Sequence, residues 1–218
     1  MSLDGDEQLF ETQHGRICFV IVEEEMRAVF DLLAGMAEST NSEVEHVCEQ
    51  RRGLLEGEVI THDEWGDVSE DVLFGLEEVL LPHARYVQGP LSNIASSLLI
   101  FAFLERALRV VARDVAHDSS SVERFLRKNG RAGKIRGYLA FLQHEVALQF
   151  GVPPRLEEML EHERRLRNDF AHGNWDVADR QPRSGFLMKA FETMSELFNA
   201  LEQAVEMATT SVQMRSAQ

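Results

Sequence analysis

Apolar residues recur at three- and four-residue steps through nearly every segment of the 218-residue chain, and no alternating run of β-branched residues persists beyond a few positions. That period belongs to α-helices and predicts an all-α fold. Phe19, Val22, Met26, Val29, Phe30 and Leu33 form one stripe. Ser39 and Thr40 are residue types that cap helices, and Val44, Val47, Cys48, Leu54 and Leu55 form a second stripe beyond them. The pair reads as a helical hairpin, with a short strand over residues 18–22 as the alternative for its beginning. After an acidic loop from His62 to Asp67, Ser69 opens a helix to Leu81, where Pro82 stops it, because proline lacks the N–H and crowds the preceding turn. Gly89-Pro90 marks a break. The long helix that follows to Asp114 holds the most apolar stretch of the chain, Ile94 to Leu104, and belongs at the centre of a fold.

Beyond it, Ser119-Ser120-Ser121 introduces a short helix that ends at Asn129-Gly130, and the next runs from about Ala132 to Phe150. A helix from Pro154 to about His172 closes at Gly173, with an irregular loop over residues 174–184. The last helix carries Leu187, Phe191, Met194, Phe198, Leu201 and Val205 at alternating four- and three-residue steps, a stripe suited to bundle packing and to a partner surface. The ends before Gln8 and beyond Gln213 are expected to fray. The domain organisation that follows is an acidic helical segment, residues 1–64, packed on a bundle formed by residues 65–212.

At 44% hydrophobic residues the chain can fill a core without disulfides, so Cys18 and Cys48 are expected as reduced core residues in a reducing compartment. The acidic N-terminus has no secretory pattern, which gives a cytoplasmic expectation. The apolar run from Ile94 to Leu104 falls short of the roughly 20 residues that cross a bilayer, so no membrane association is expected. The net charge of −15 would disfavour nucleic acid, but it is unevenly spread. Residues 1–80 hold 21 acids against 4 bases, whereas residues 81–218 hold 16 against 18. Only the second part can meet a polyanion without strong repulsion. Within it, Arg124, Arg127, Lys128, Arg131, Lys134 and Arg136 occur with no acid among them. They are a candidate phosphate-tracking surface, or else a solvated basic face. The Glu23-Glu24-Glu25 run is in turn a solvated acidic face, or one that repels RNA or binds a basic partner.

His14, His46, His62, His83, His117, His144 and His162 stand singly, without cysteine or histidine at ligand spacing, and His62-Asp63 comes nearest to a metal-binding pair. No glycine-rich phosphate loop, Ser-His-Asp order or nucleophilic cysteine motif occurs, so neither metal nor cofactor is expected. The densest chemistry is Arg164-Arg165-Leu166-Arg167-Asn168-Asp169-Phe170-Ala171-His172-Gly173-Asn174, at a helix end. Arg167 and His172 lie five residues apart, about 140° around an ideal helix, so one helix cannot aim both at one atom. Arg167 falls in the apolar stripe of Leu156, Met159, Leu160 and Phe170. His172 shares a face with Asn168. A buried Arg167 would need a carboxylate, from Glu163 one turn earlier or from Glu105, which shares a face with Leu98, Phe101, Leu108 and Ala112 on the long helix. The plainer account is a core-edge salt bridge and a cation at a helix C-terminus.

An arginine, a polar residue directly after it and a histidine beyond four intervening residues at the end of a helix form a pattern, met here by Arg167, Asn168 and His172. With the earlier Phe103-Leu104-Glu105-Arg106 and Ile135-Arg136-Gly137-Tyr138-Leu139, the chain resembles the HEPN family over about residues 70–212. The resemblance implies an antiparallel helical bundle, here with the N-terminal hairpin added. It also implies a homodimer in which Arg and His of both protomers converge to cleave RNA without metal. On this chain His172 would be the general acid or base, Arg167 would stabilise phosphoryl charge, Asn168 would position His172 or the phosphate, and Glu105 would orient Arg167. Cleavage would leave 2′,3′-cyclic phosphate ends, in a bacterial toxin with an antitoxin partner or in an antiviral effector. Other members of the family are non-catalytic dimerisation or protein-interaction modules, which is the alternative for this chain.

Overall fold

The computed structural model describes residues 9–56, 62–63, 66–67, 69–116, 118–129, 133–174 and 185–216. Helices α1 (Ile17–Leu55), α2 (Ser69–Phe74), α3 (Leu81–His83), α4 (Gly89–Val115), α5 (Ser119–Asn129), α6 (Lys134–His144), α7 (Pro154–Ala171) and α8 (Gly185–Ser216) make up almost all of it, so the all-α expectation holds. The acidic loop carries a two-residue antiparallel ribbon, β1 (His62–Asp63) with β2 (Gly66–Asp67). Among the described residues no helix is long and apolar enough to cross a membrane.

Three boundaries differ from the sequence reading. The N-terminal hairpin is a single helix of 39 residues, α1, which includes residues 18–22. Ser39 and Thr40 do not cap because the chain keeps turning, and the Thr40 hydroxyl donates back to the Met36 carbonyl at 3.0 Å, a bond that fits inside a helix. Pro82 and Pro90 do not break the backbone either. Each lies two residues past a π-helical turn, Gly75–Leu80 or Ala84–Gln88, at whose end a donor reaches five residues back, Leu81 N–H to Leu76 and Gly89 N–H to Ala84. The altered hydrogen-bond register of these turns leads the helix into the prolines, which have no donor to contribute. Finally, α6 stops at His144 rather than near Phe150, because Ala147 adopts φ 59° and Leu148 N–H turns back to the Leu142 carbonyl.

Packing gathers the chain into two compact units, divided within α1, α4 and α7. The first holds the described residues up to Asp31, Ser97–Arg165 and α8. Its centre is α8, where Phe191, Met194, Leu197, Phe198 and Leu201 are buried. Phe30 meets Phe191 edge-on at 5.1 Å, Phe103 lies 6.4 Å from Phe198, and Phe10 sits 6.1 Å from Phe19 and 5.9 Å from Phe198. Most of the α8 stripe is thus consumed inside its own unit, from Phe191 to Val205.

The segment before α1 is tied down by Glu202, only 2% exposed, whose carboxylate accepts the backbone N–H groups of Gln13 and His14 and the Thr12 hydroxyl. This arrangement satisfies a buried charge with three donors. Helix α5 is capped by Asp118, which accepts Ser120 N–H at 3.0 Å and is held below the usual carboxylate range by that residue's hydroxyl and N–H. The serine run, expected to precede the helix, therefore forms its first turn.

The second unit holds Leu32–Ser96 and the described residues from Leu166 onward. One small cluster joins Val47 and Leu54 of α1 to Leu76, with Val72, Leu73 and Leu81 against it. Another joins Ile94 to Leu166, with Phe170 against it. Arg51 Nε donates to Glu77 at 2.6 Å beside the first cluster.

Candidate functional site

Helix α7 starts at Pro154, a residue pre-set for a first helical turn, and runs to Ala171. Its end is a Schellman closure: Gly173, at φ 77°, donates to the Phe170 carbonyl at 3.1 Å, and Asn174 donates to the Asp169 carbonyl at 2.9 Å. A residue with a Cβ would be strained at Gly173, so the glycine of the motif has a backbone reason. His172 is the last residue before the reversal, and its N–H bonds to the Asn168 carbonyl at 3.0 Å. Leu166 and Phe170, packed on Ile94, anchor this final turn. Around that anchor Arg167, Asn168 and His172 are all exposed.

The expectation that Arg167 lies in the apolar stripe is therefore corrected. The inward positions are Leu156, Met159, Leu160 and Leu166, all buried, and one step of about 100° carries Arg167 off that face. The neighbouring Arg164 and Arg165 are both held by Glu161 of the same helix, at 2.8 and 3.0 Å, and the pair draws that carboxyl down to about 2.

The remaining site residues belong to the first unit. Glu105, half-buried on α4 as its apolar neighbours imply, receives the Lys134 ammonium at 2.8 Å. A basic partner for Glu105 was expected, with Arg167 the first choice, and Lys134 is the partner found. Arg136 forms a two-nitrogen contact with Glu157, closest at 2.7 Å, and its pKa is raised by that bond. With Arg124 on Asp118 at 3.5 Å, three members of the proposed phosphate-tracking run are thus engaged with carboxylates. Arg127 and Lys128 are exposed in the last turn of α5, where the helix dipole favours cations, and Arg131 lies outside the described residues.

Both thiols are free, and Cys48 is half-buried rather than core. Burial beside Asp114 pushes the Cys18 thiol up to about 12, which keeps it protonated and a poor nucleophile. Among the described residues no three His, Cys, Asp or Glu side chains gather as a metal would need.

Sequence reasoning passed over His162. Its ring lies 5.3 Å from that of Phe186, in a cleft of about 280 Å³ between the first half of α7 and the start of α8. Burial, with the charge of Arg165, lowers its pKa and favours the neutral imidazole. A signal existed in matched spacing: Arg155, Glu158, Met159 and His162 step by 3, 1 and 3 along α7, as do Phe186, Lys189, Ala190 and Thr193 along α8. No family model matches the chain, and neither a curated protein nor a solved structure matches it.

Proposed function

We propose that the chain is a metal-independent endoribonuclease of HEPN type, acting as a homodimer in the cytoplasm as a toxin or antiviral effector. The observation that supports this reading is the exposed end of α7, where Arg167, Asn168 and His172 surround a turn fixed by Gly173. An RNase site must be reachable by a phosphate, and a guanidinium sealed in the core would serve packing instead. In the proposed reaction a ribose 2′-OH attacks the adjacent phosphorus and the 5′-oxygen of the next nucleotide leaves, giving a 2′,3′-cyclic phosphate. His172 exchanges the proton as general acid or base. Arg167 stabilises charge on the non-bridging oxygens, and Asn168 positions the imidazole or the phosphate. Arg127, Lys128 and Arg131 add phosphate affinity, and Glu105 braces the basic side through Lys134.

A second reading is a non-catalytic interaction module that binds another protein, such as an antitoxin. It draws support from Phe74, Val79, Leu80, Tyr86 and Val87, which are large apolar residues exposed along the π-turn region of the second unit. One assay separates the two: the full chain is incubated with total RNA in EDTA, beside a DNA strand of the same sequence. The RNase reading expects cyclic-phosphate ends on RNA alone, with His172→Ala and Arg167→Ala each slowing cleavage by about 10² to 10⁴ while remaining folded. Intact RNA with every substrate, together with a stable protein complex recovered through the exposed apolar residues, would replace it with the module.

A further inference from the structure

The cleft of about 280 Å³ between α7 and α8 lies wholly within the first unit and is separate from the exposed end of α7. Its charged groups are incompletely paired. Arg155 meets Glu192 at 3.5 Å, but Glu158 and Lys189 line the same cleft without a partner of opposite charge within 4.0 Å among the described residues. They do not reach one another either. Two opposite charges facing one small space, yet held apart, leave room for a molecule that carries both signs. The rest of the lining is apolar or neutral. Met159 and Ala190 are buried beneath it, and the neutral His162 ring leans on Phe186 at 47° to form an aromatic wall. The Thr193 hydroxyl is already spent on the Lys189 carbonyl at 2.7 Å. Glu158 and Lys189 are both exposed at the cleft; a dianionic phosphate would meet the Glu158 carboxylate, and a purely apolar molecule would engage neither charge.

We infer that this cleft binds a small zwitterion with an apolar side group, the chemistry of a free aromatic or aliphatic α-amino acid. Its carboxylate lies against Lys189 and Arg155, its ammonium against Glu158, and its side group against Phe186 and Met159. The volume sits at the lower end of ligand pockets, as suits a molecule of this size.

The test titrates the full chain with L-phenylalanine, with hydrocinnamate, which lacks the ammonium, with phenylalaninamide, which lacks the carboxylate, and with uridine monophosphate. Binding is followed through the His162 ring resonances. Phenylalanine is expected to shift them saturably at millimolar concentration or below, and each truncated analogue to bind about tenfold more weakly, the usual worth of a charge-assisted hydrogen bond. Glu158→Gln should weaken phenylalanine while leaving hydrocinnamate unchanged, and Lys189→Gln should do the converse with phenylalaninamide, with circular dichroism confirming the fold of both variants. The inference is overturned if the truncated analogues bind as well as phenylalanine, if uridine monophosphate binds best, or if no ligand moves His162 by 10 mM.

Discussion

The two units differ in how they are held together. In the first, every helix contributes buried apolar side chains, and even the non-helical segment before α1 is drawn in by Phe10 and by the bonds to Glu202. In the second, α1 beyond Gly35 buries only Val47 and Leu54 among its described residues, while Leu32, Leu55, Phe74, Tyr86 and Leu91 remain exposed. Gln88 Oε1 and Asn93 Nδ2 are buried there without a partner among the described residues, at a cost of about 1–3 kcal/mol for each orphaned group. The lesson is that one helix can belong to two regimes. The first half of α1 is held by a core, and its second half depends on helix propensity, a small cluster and the Arg51–Glu77 pair. The end of α7 with the proposed catalytic residues belongs to the sparsely packed unit, as mobile functional elements commonly do.

The sharpest attempt to break this contrast compares two truncations. Phe198→Ala should cost about 3–5 kcal/mol, because it opens a cavity among Phe10 and Phe103, whereas Leu76→Ala should cost about 2 kcal/mol in its smaller cluster. Urea denaturation measures both, and equal losses would mean that the two units share one cooperative core. Next in size, Glu202→Ala should cost about 2–3 kcal/mol, since it removes the buried carboxylate that holds two N–H groups and a hydroxyl of the N-terminal segment. Proteolysis should then cut near Gln13 faster than in the wild type, and an unchanged cutting rate would show that Phe10 alone seats the segment.

Hydrogen exchange offers a finer test within one helix. Amides of α1 beyond Gly35 should exchange at least about tenfold faster than those around Val22 and Met26, because local opening there exposes little apolar surface. Uniform protection along α1 would abolish the distinction.

The smallest effect concerns pH. Glu161 is held at about 2 by Arg164 and Arg165, below its unfolded value. Its contribution is therefore present above the ordinary glutamate range and is lost as pH falls towards about 2. The pair is exposed, so the effect should be modest. The urea midpoints of wild type and Glu161→Gln should converge between pH 5 and 2.5, and a gap that stays constant would assign the effect to helix propensity instead.

The sequence by itself determined the helical class, the span of α7 and the inward positions of α8, because these follow from the period of apolar residues and from local backbone chemistry. Pro154 and Gly173 delimit α7 with no help from elsewhere in the chain. The pattern Arg167-Asn168 and His172 was legible for the same reason, being confined to one helix end. What only the tertiary structure decided lies where a local preference was overruled or where two segments had to meet. Thr40 remains inside α1, and Pro82 and Pro90 follow π-helical turns, because caps and proline breaks cost about 1–3 kcal/mol, which packing and an altered hydrogen-bond register can offset. Lys134 as the partner of Glu105, the grip of Glu202 on the N-terminal segment and the cleft beside His162 each join residues from different helices or distant segments, and a one-dimensional pattern does not encode which helical faces come into register.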